Sequence, residues 1–138
     1  MEEHFSFVGR KIEQDLLRRI WEETRSNLKS QFIVKDVVMP RIEAVSLTHE
    51  RFTKAIRQLQ SSPYIIDATK IEWGEQLKAG YISAGSFFSD VDQKWVVLLC
   101  EGLNPLEQNL RHELLHIWES ILGLQLGTLT QSIEGEQK

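Results

Sequence analysis

Between Asn104 and Gly123 the chain carries a single helical pattern with two unlike faces, and any fold must satisfy both. Asn104, Pro105, Leu106 and Glu107 supply a capping residue, a proline at the first helical position and a glutamate two residues later, in the manner of a capping box. A helix is therefore expected to begin at Asn104 or Pro105. Gly123 is its natural stop, although Leu124 and Leu126 can extend it by a turn. At about 100 degrees per residue, Leu106, Leu110, Leu114, Ile117 and Ile121 cluster on one side, and His112, His116 and Glu119 fall on the other. The leucine side requires a core to pack on. The histidines stand outside that stripe, which argues against their being ordinary packing residues.

The remaining chain is organised to supply such a core. With 138 residues it is expected to form one domain spanning residues 1–138. From about Arg10 to Leu28, Ile12, Leu16 and Ile20 recur at helical spacing, widened by Leu17 and Trp21, and predict a long amphipathic helix with a charged outer face. Between Gln31 and Leu47 the composition turns β-branched, and Arg41 to Leu47 alternates as a strand; Pro40 suggests an edge position. Thr48 can cap a short helix whose Phe52, Ala55, Ile56 and Leu59 form its buried stripe, stopped by Ser61, Ser62 and Pro63. Another strand is expected between Tyr64 and Trp73. Gly80 to Phe88 and Lys94 to Cys100 then read as a hairpin, with Ser89 to Gln93 as its turn. Asp90 and Asp92 are most simply turn residues. After Gly127, Thr128 and Thr130 can cap a short last helix. The fold class is therefore α+β: an N-terminal helix, a small mostly antiparallel sheet, the histidine helix and a short C-terminal segment.

Charge and composition exclude several function classes. Sixteen Lys and Arg against twenty Asp and Glu give a net charge of -4, which argues against nucleic acid as the main partner. No stretch approaches the length of a membrane span, and MEEHFSFVGRK lacks the apolar run of a signal peptide. Cys100 is the single cysteine, so an intrachain disulfide is excluded and a reducing cytoplasm is the expected location.

Chemistry enters with His112, Glu113, Leu114, Leu115 and His116, an H-E-x-x-H pattern. Residues at i and i+4 project as neighbours, and two neutral imidazoles there can hold one Zn²⁺ at about 2.0 to 2.1 Å. Glu113 lies beside that position, where its carboxylate can take a proton from an attacking water. A catalytic zinc site needs a third protein ligand, and several residues compete. Glu119 shares the histidine face but sits too far along the axis, so it either orients a ligand or meets solvent. Cys100 is chemically suitable but ends an apolar strand, where packing is the simpler role. His4 and His49 read as surface residues. Glu134 and Glu136 follow Gly123 and Gly127, where the chain can turn back toward the metal.

In these features the chain resembles the zincin metallopeptidases, above all the small single-domain gluzincins called minigluzincins and the related peptidases that cleave phage immunity repressors. The resemblance runs from Ala79 to His116: the glycine-led Ala79, Gly80, Tyr81, Ile82, the strand Trp95 to Leu99, a polar turn, and the helix through Leu110, Arg111 and the histidine pair. It implies a zincin-like domain that hydrolyses peptide or protein substrates with Zn²⁺, bound by His112, His116 and a glutamate from a following helix, for which Glu134 is the nearer choice. It implies Glu113 as general base, and an extended substrate paired to the strand before the helix, Trp95 to Cys100 by order. Tyr81 and Tyr64 are candidates to support the transition state, although packing is the simpler role for each. Two further readings remain: a zinc hydrolase of another amide, as deformylases are, and a regulatory module that binds a peptide strand without turnover.

Overall fold

The computed structural model describes residues 7–62, 83–102 and 105–133. In chain order these form β1 (Arg10–Lys11), α1 (Gln14–Leu28), β2 (Ile42–Leu47), α2 (His49–Gln60), β3 (Ala84–Ser89), β4 (Lys94–Cys100), α3 (Leu106–Ile121) and α4 (Thr128–Ile133). The fold is α+β, with a mixed sheet in the order β1-β2-β4-β3. β2 and β4 run parallel, from Ile42 opposite Trp95 to Leu47 opposite Cys100. β1 and β3 are antiparallel to their neighbours.

Strand alternation sends side chains to two separate cores. Val45, Leu47, Val96, Leu98 and Cys100 face α2, where they meet Phe52, Ala55, Ile56 and Leu59. Ile42, Ala44, Val97 and Leu99 face the other way, onto α1, α3 and the start of α4. On that side Trp21 of α1 stacks on Trp118 of α3 with ring centroids 4.2 Å apart and planes within 17°. Such a pair adds about 0.5 to 1.5 kcal/mol beyond the area it buries. Arg25 lies 5.4 Å from the Trp118 ring and donates to the carbonyls of Val34 and Val37, so the loop after α1 closes over the stack. Further out, Glu23 accepts from Arg19 and Arg111, each at 3.0 Å, and links α1 to α3.

Among the described residues the expected elements form, with three adjustments. The first helix starts at Gln14, not near Arg10, because Arg10 and Lys11 pair with Ser46 and Val45 as a short strand. Gly9 permits that approach: a Cβ there would sit 2.5 Å from the Ser46 carbonyl oxygen. Ile12 is buried from this extended segment, its N–H bonded to the Ala44 carbonyl at 2.9 Å, so helical spacing alone misassigned it. Second, β2 is internal, between β1 and β4, and not an edge strand. Pro40 precedes it and takes no part in its ladder, so the proline imposes nothing on its position. Third, α3 begins at Leu106, with Pro105 as the residue before its first turn and not within it; Glu107 pairs with Arg19, and the expected cap Asn104 lies outside the described residues.

The other local signals act as their chemistry dictates. Thr48 caps α2 by accepting from the Arg51 N–H at 3.4 Å. The Ser89 hydroxyl accepts from the Asp92 N–H at 3.3 Å and closes the β3–β4 turn, so Asp92 serves the turn. α3 ends in a Schellman motif, with Gly123 at φ 72°, its N–H on the Ser120 carbonyl at 3.2 Å, and the Leu124 N–H on the Glu119 carbonyl at 2.8 Å. The strand expected between Tyr64 and Trp73, and Gly80 to Ile82 of the hairpin, lie outside the described residues.

Candidate metal centre

α3 is packed on several sides, and this converts its polar face into a site. Leu110, Leu114 and Ile117 are fully buried toward α1 and the sheet. The opposite face is also enclosed: Glu113 is 5% exposed and Glu119 1%, and His112 and His116 are half-buried. His112, Glu113 and His116 each present a ligand atom, all within 4.8 Å of one another. The two Nε2 atoms are 3.1 Å apart, with the rings nearly perpendicular at 89°. Two nitrogens bound tetrahedrally to one zinc ion stand about 3.3 Å apart, given bonds of about 2.0 to 2.1 Å. The imidazole pair therefore already has the separation that a single ion requires, and the group can hold a metal.

Glu119 determines which nitrogen of His116 is available. Its Oε1 lies 2.7 Å from His116 Nδ1, and it also accepts from the Gly127 N–H at 3.0 Å; its Oε2 accepts from Leu129 at 2.6 Å and Thr130 at 3.2 Å. Burial alone would push this carboxyl up. The His116 hydrogen bond, the N–H groups of Gly127 and Thr130 and the attraction of His116 outweigh it, so the group is held below its ordinary value. An ionised carboxylate only accepts, so Nδ1 of His116 carries the hydrogen. In the neutral ring the lone pair is then on Nε2, beside His112. Of the two roles open to Glu119 in the sequence, orienting a histidine is the one its contacts fulfil.

The sheet sorts the remaining candidates. Cys100 points to the α2 side, away from α3, with its thiol pushed up by burial and by the negative charge of Glu101, so it is no ligand for this site. His49 is exposed at the start of α2, in that same layer. His4, Tyr64, Tyr81, Glu134 and Glu136 lie outside the described residues. The pairing strand requires correction: Trp95 to Cys100 has β2 on one side and β3 on the other, so both its edges are occupied. Among the described residues β1 and β3 each pair on one side only, and β3, next to β4 and six residues long against two, is the longer edge.

Asn109 belongs to no motif, yet it takes part in the histidine face. It is buried on the histidine face, three residues before His112 and four before Glu113, and its Oδ1 accepts from the Ser83 hydroxyl at 3.4 Å, tying α3 to the start of β3. Its helical register relative to Glu113 was the available signal. No helix among the described residues is long and apolar enough to cross a membrane. No family model matches the chain, and no curated protein or solved structure compared with it matches either.

Proposed function

We propose that this chain is a zinc-dependent metallopeptidase of the zincin type, acting on peptide or protein substrates in a reducing cytoplasm. His112 and His116 provide two ligands and Glu134, immediately after α4, the third. Zinc held there supplies Lewis acidity toward a carbonyl and lowers the pKa of water. Glu113 takes the proton from the attacking water and passes it to the departing amine, so that neither hydroxide nor an amide anion need form unaided. Glu119 keeps Nδ1 of His116 protonated and its Nε2 turned to the metal. An extended substrate pairs with the outer edge of β3, where backbone N–H and C=O groups recognise any peptide.

One observation carries this reading: two histidine nitrogens 3.1 Å apart, with the Glu113 carboxylate beside them and one histidine already oriented by a buried acid. The test is paired. Purified tag-free protein should contain about one zinc per chain, and added zinc should raise its Tm. Wild-type protein should cleave members of a peptide library that Glu113→Gln leaves intact. Absence of both zinc and zinc-induced stabilisation would overturn the metal reading. Zinc binding with no cleavage in either protein would leave a peptide-binding module, and cleavage of non-peptide amides alone a different hydrolase.

A further inference from the structure

We propose that Glu119 is a positioning residue that couples the docking of α4 to the metal-binding form of His116. This inference rests on the metal reading above and adds a consequence of its own. One carboxylate, 1% exposed, serves two structures at once. Its Oε1 is shared between His116 Nδ1 and the N–H of Gly127, and its Oε2 takes the N–H groups of Leu129 and Thr130. α4 has six residues, too few to hold itself as a helix. Its start is therefore held from outside, by Glu119 and by the burial of Leu129 among the side chains of α1 and α3. Gly127 at φ 95°, a conformation that side chains rarely adopt, forms the turn from which these donors converge on Glu119.

The coupling follows from satisfying a buried charge. With α4 undocked, Glu119 loses three of its four donors; water or a rearranged His116 must replace them, and the carboxylate no longer holds His116 in one orientation. With His116 held on a metal through Nε2, its Nδ1–H is fixed toward Glu119, which favours the carboxylate position that receives α4. Linkage makes the effect reciprocal: docked α4 strengthens metal binding by the factor by which metal strengthens docking. The C-terminal segment after α3 thus takes part in the metal site through its backbone.

The experiment uses full-length wild-type protein, Glu119→Gln and Leu129→Ala, with Zn²⁺ affinity measured by chelator competition and the amide exchange of Gly127, Leu129 and Thr130 followed with and without Zn²⁺. Loss of Glu119's carboxylate should weaken zinc binding by about 10- to 100-fold. Leu129→Ala loosens α4 and leaves Glu119 in place; in a Glu134→Ala background, where the proposed third ligand is no longer there to be displaced with α4, it should still weaken binding by about 5-fold or more. Zinc should slow exchange at the three amides in wild type and not in Glu119→Gln. The ¹⁵N shifts of His116 should report a single Nδ1–H tautomer in metal-free wild type and a mixture in Glu119→Gln. Unchanged zinc affinity in both variants, with lowered Tm alone, would overturn the coupling and leave Glu119 a structural residue. Failure of wild-type protein to bind zinc would instead overturn the metal reading, and this inference with it.

Discussion

The two sides of the sheet are built on opposite terms. Toward α2, the core is closed by Phe52, Ile56, Leu59, Val45 and Leu98, and no carboxylate is buried there among the described residues. Toward α1 and α3, both carboxylates buried among the described residues, Glu113 and Glu119, sit beside an equally apolar core. A buried carboxylate is tolerated only where donors meet it, and here α4 brings its first N–H groups to Glu119. The α2 side needs only shape and hydrophobicity, so changes there should leave the candidate metal site as it is. On the α3 side Glu119 joins the packing of α4 to the candidate metal site, and a change at that carboxylate should be felt in both.

The largest effect expected separates the two sides by activity. On the proposed peptidase reading, Glu113→Gln keeps the shape and removes the proposed base, so kcat/KM on a cleaved peptide should fall by about 10²- to 10⁴-fold while zinc content stays unchanged. Phe52→Ala on the α2 side should do the reverse. Fully buried, it should lose about 3 to 5 kcal/mol of unfolding free energy by denaturant titration. Its zinc affinity, measured where the variant remains folded, should equal that of wild type. A Phe52→Ala protein that binds zinc several-fold more weakly would show that the sheet does not insulate the two sides.

A smaller effect distinguishes them by pH in metal-free protein. Glu119 has a folded-state pKa below its ordinary value of 4.5, so the stability it contributes is present above that value and lost as pH falls through the lower, folded one. On acidification below about pH 4.5, the amides of Gly127, Leu129 and Thr130 should lose exchange protection before those of α2 or the β2–β4 ladder. Simultaneous loss across all of them would mean that Glu119 does not hold α4 separately from the rest.

The same division explains what was legible in the sequence. α2 was readable almost to the residue, because Thr48 and the stripe Phe52, Ala55, Ile56, Leu59 act locally. The position of His112, Glu113 and His116 was readable too, since helical spacing alone makes them neighbours. Strand order was not: β4 lies inside the sheet through its parallel pairing with β2, some fifty residues earlier, and no local pattern encodes that distance. Glu119 was half legible. Its place on the histidine face followed from periodicity, but three of its four donors are backbone N–H groups of Gly127, Leu129 and Thr130, which carry no side-chain signature. Arg10 and Lys11 read as helix because Ile12 fits the stripe, although the sheet claims them.

The smallest effect expected falls on Cys100, and it sharpens the comparison most because the residue is a good zinc ligand on the wrong side. Its side chain belongs to the α2 core and its thiol is pushed up by burial, so at neutral pH it should be protonated and slow to react. Alkylation by iodoacetamide at pH 7.5 should therefore be much slower than for an unfolded control, and zinc should not change its rate. Cys100→Ala removes one buried atom and should lower stability by only about 1 kcal/mol. Zinc stoichiometry and affinity should be untouched. If the substitution removed the metal, or zinc shielded the thiol from alkylation, the ligand set would have to reach across the sheet; with β4 hydrogen-bonded on both edges, it has no route to do so without breaking the ladder that holds α3 in place.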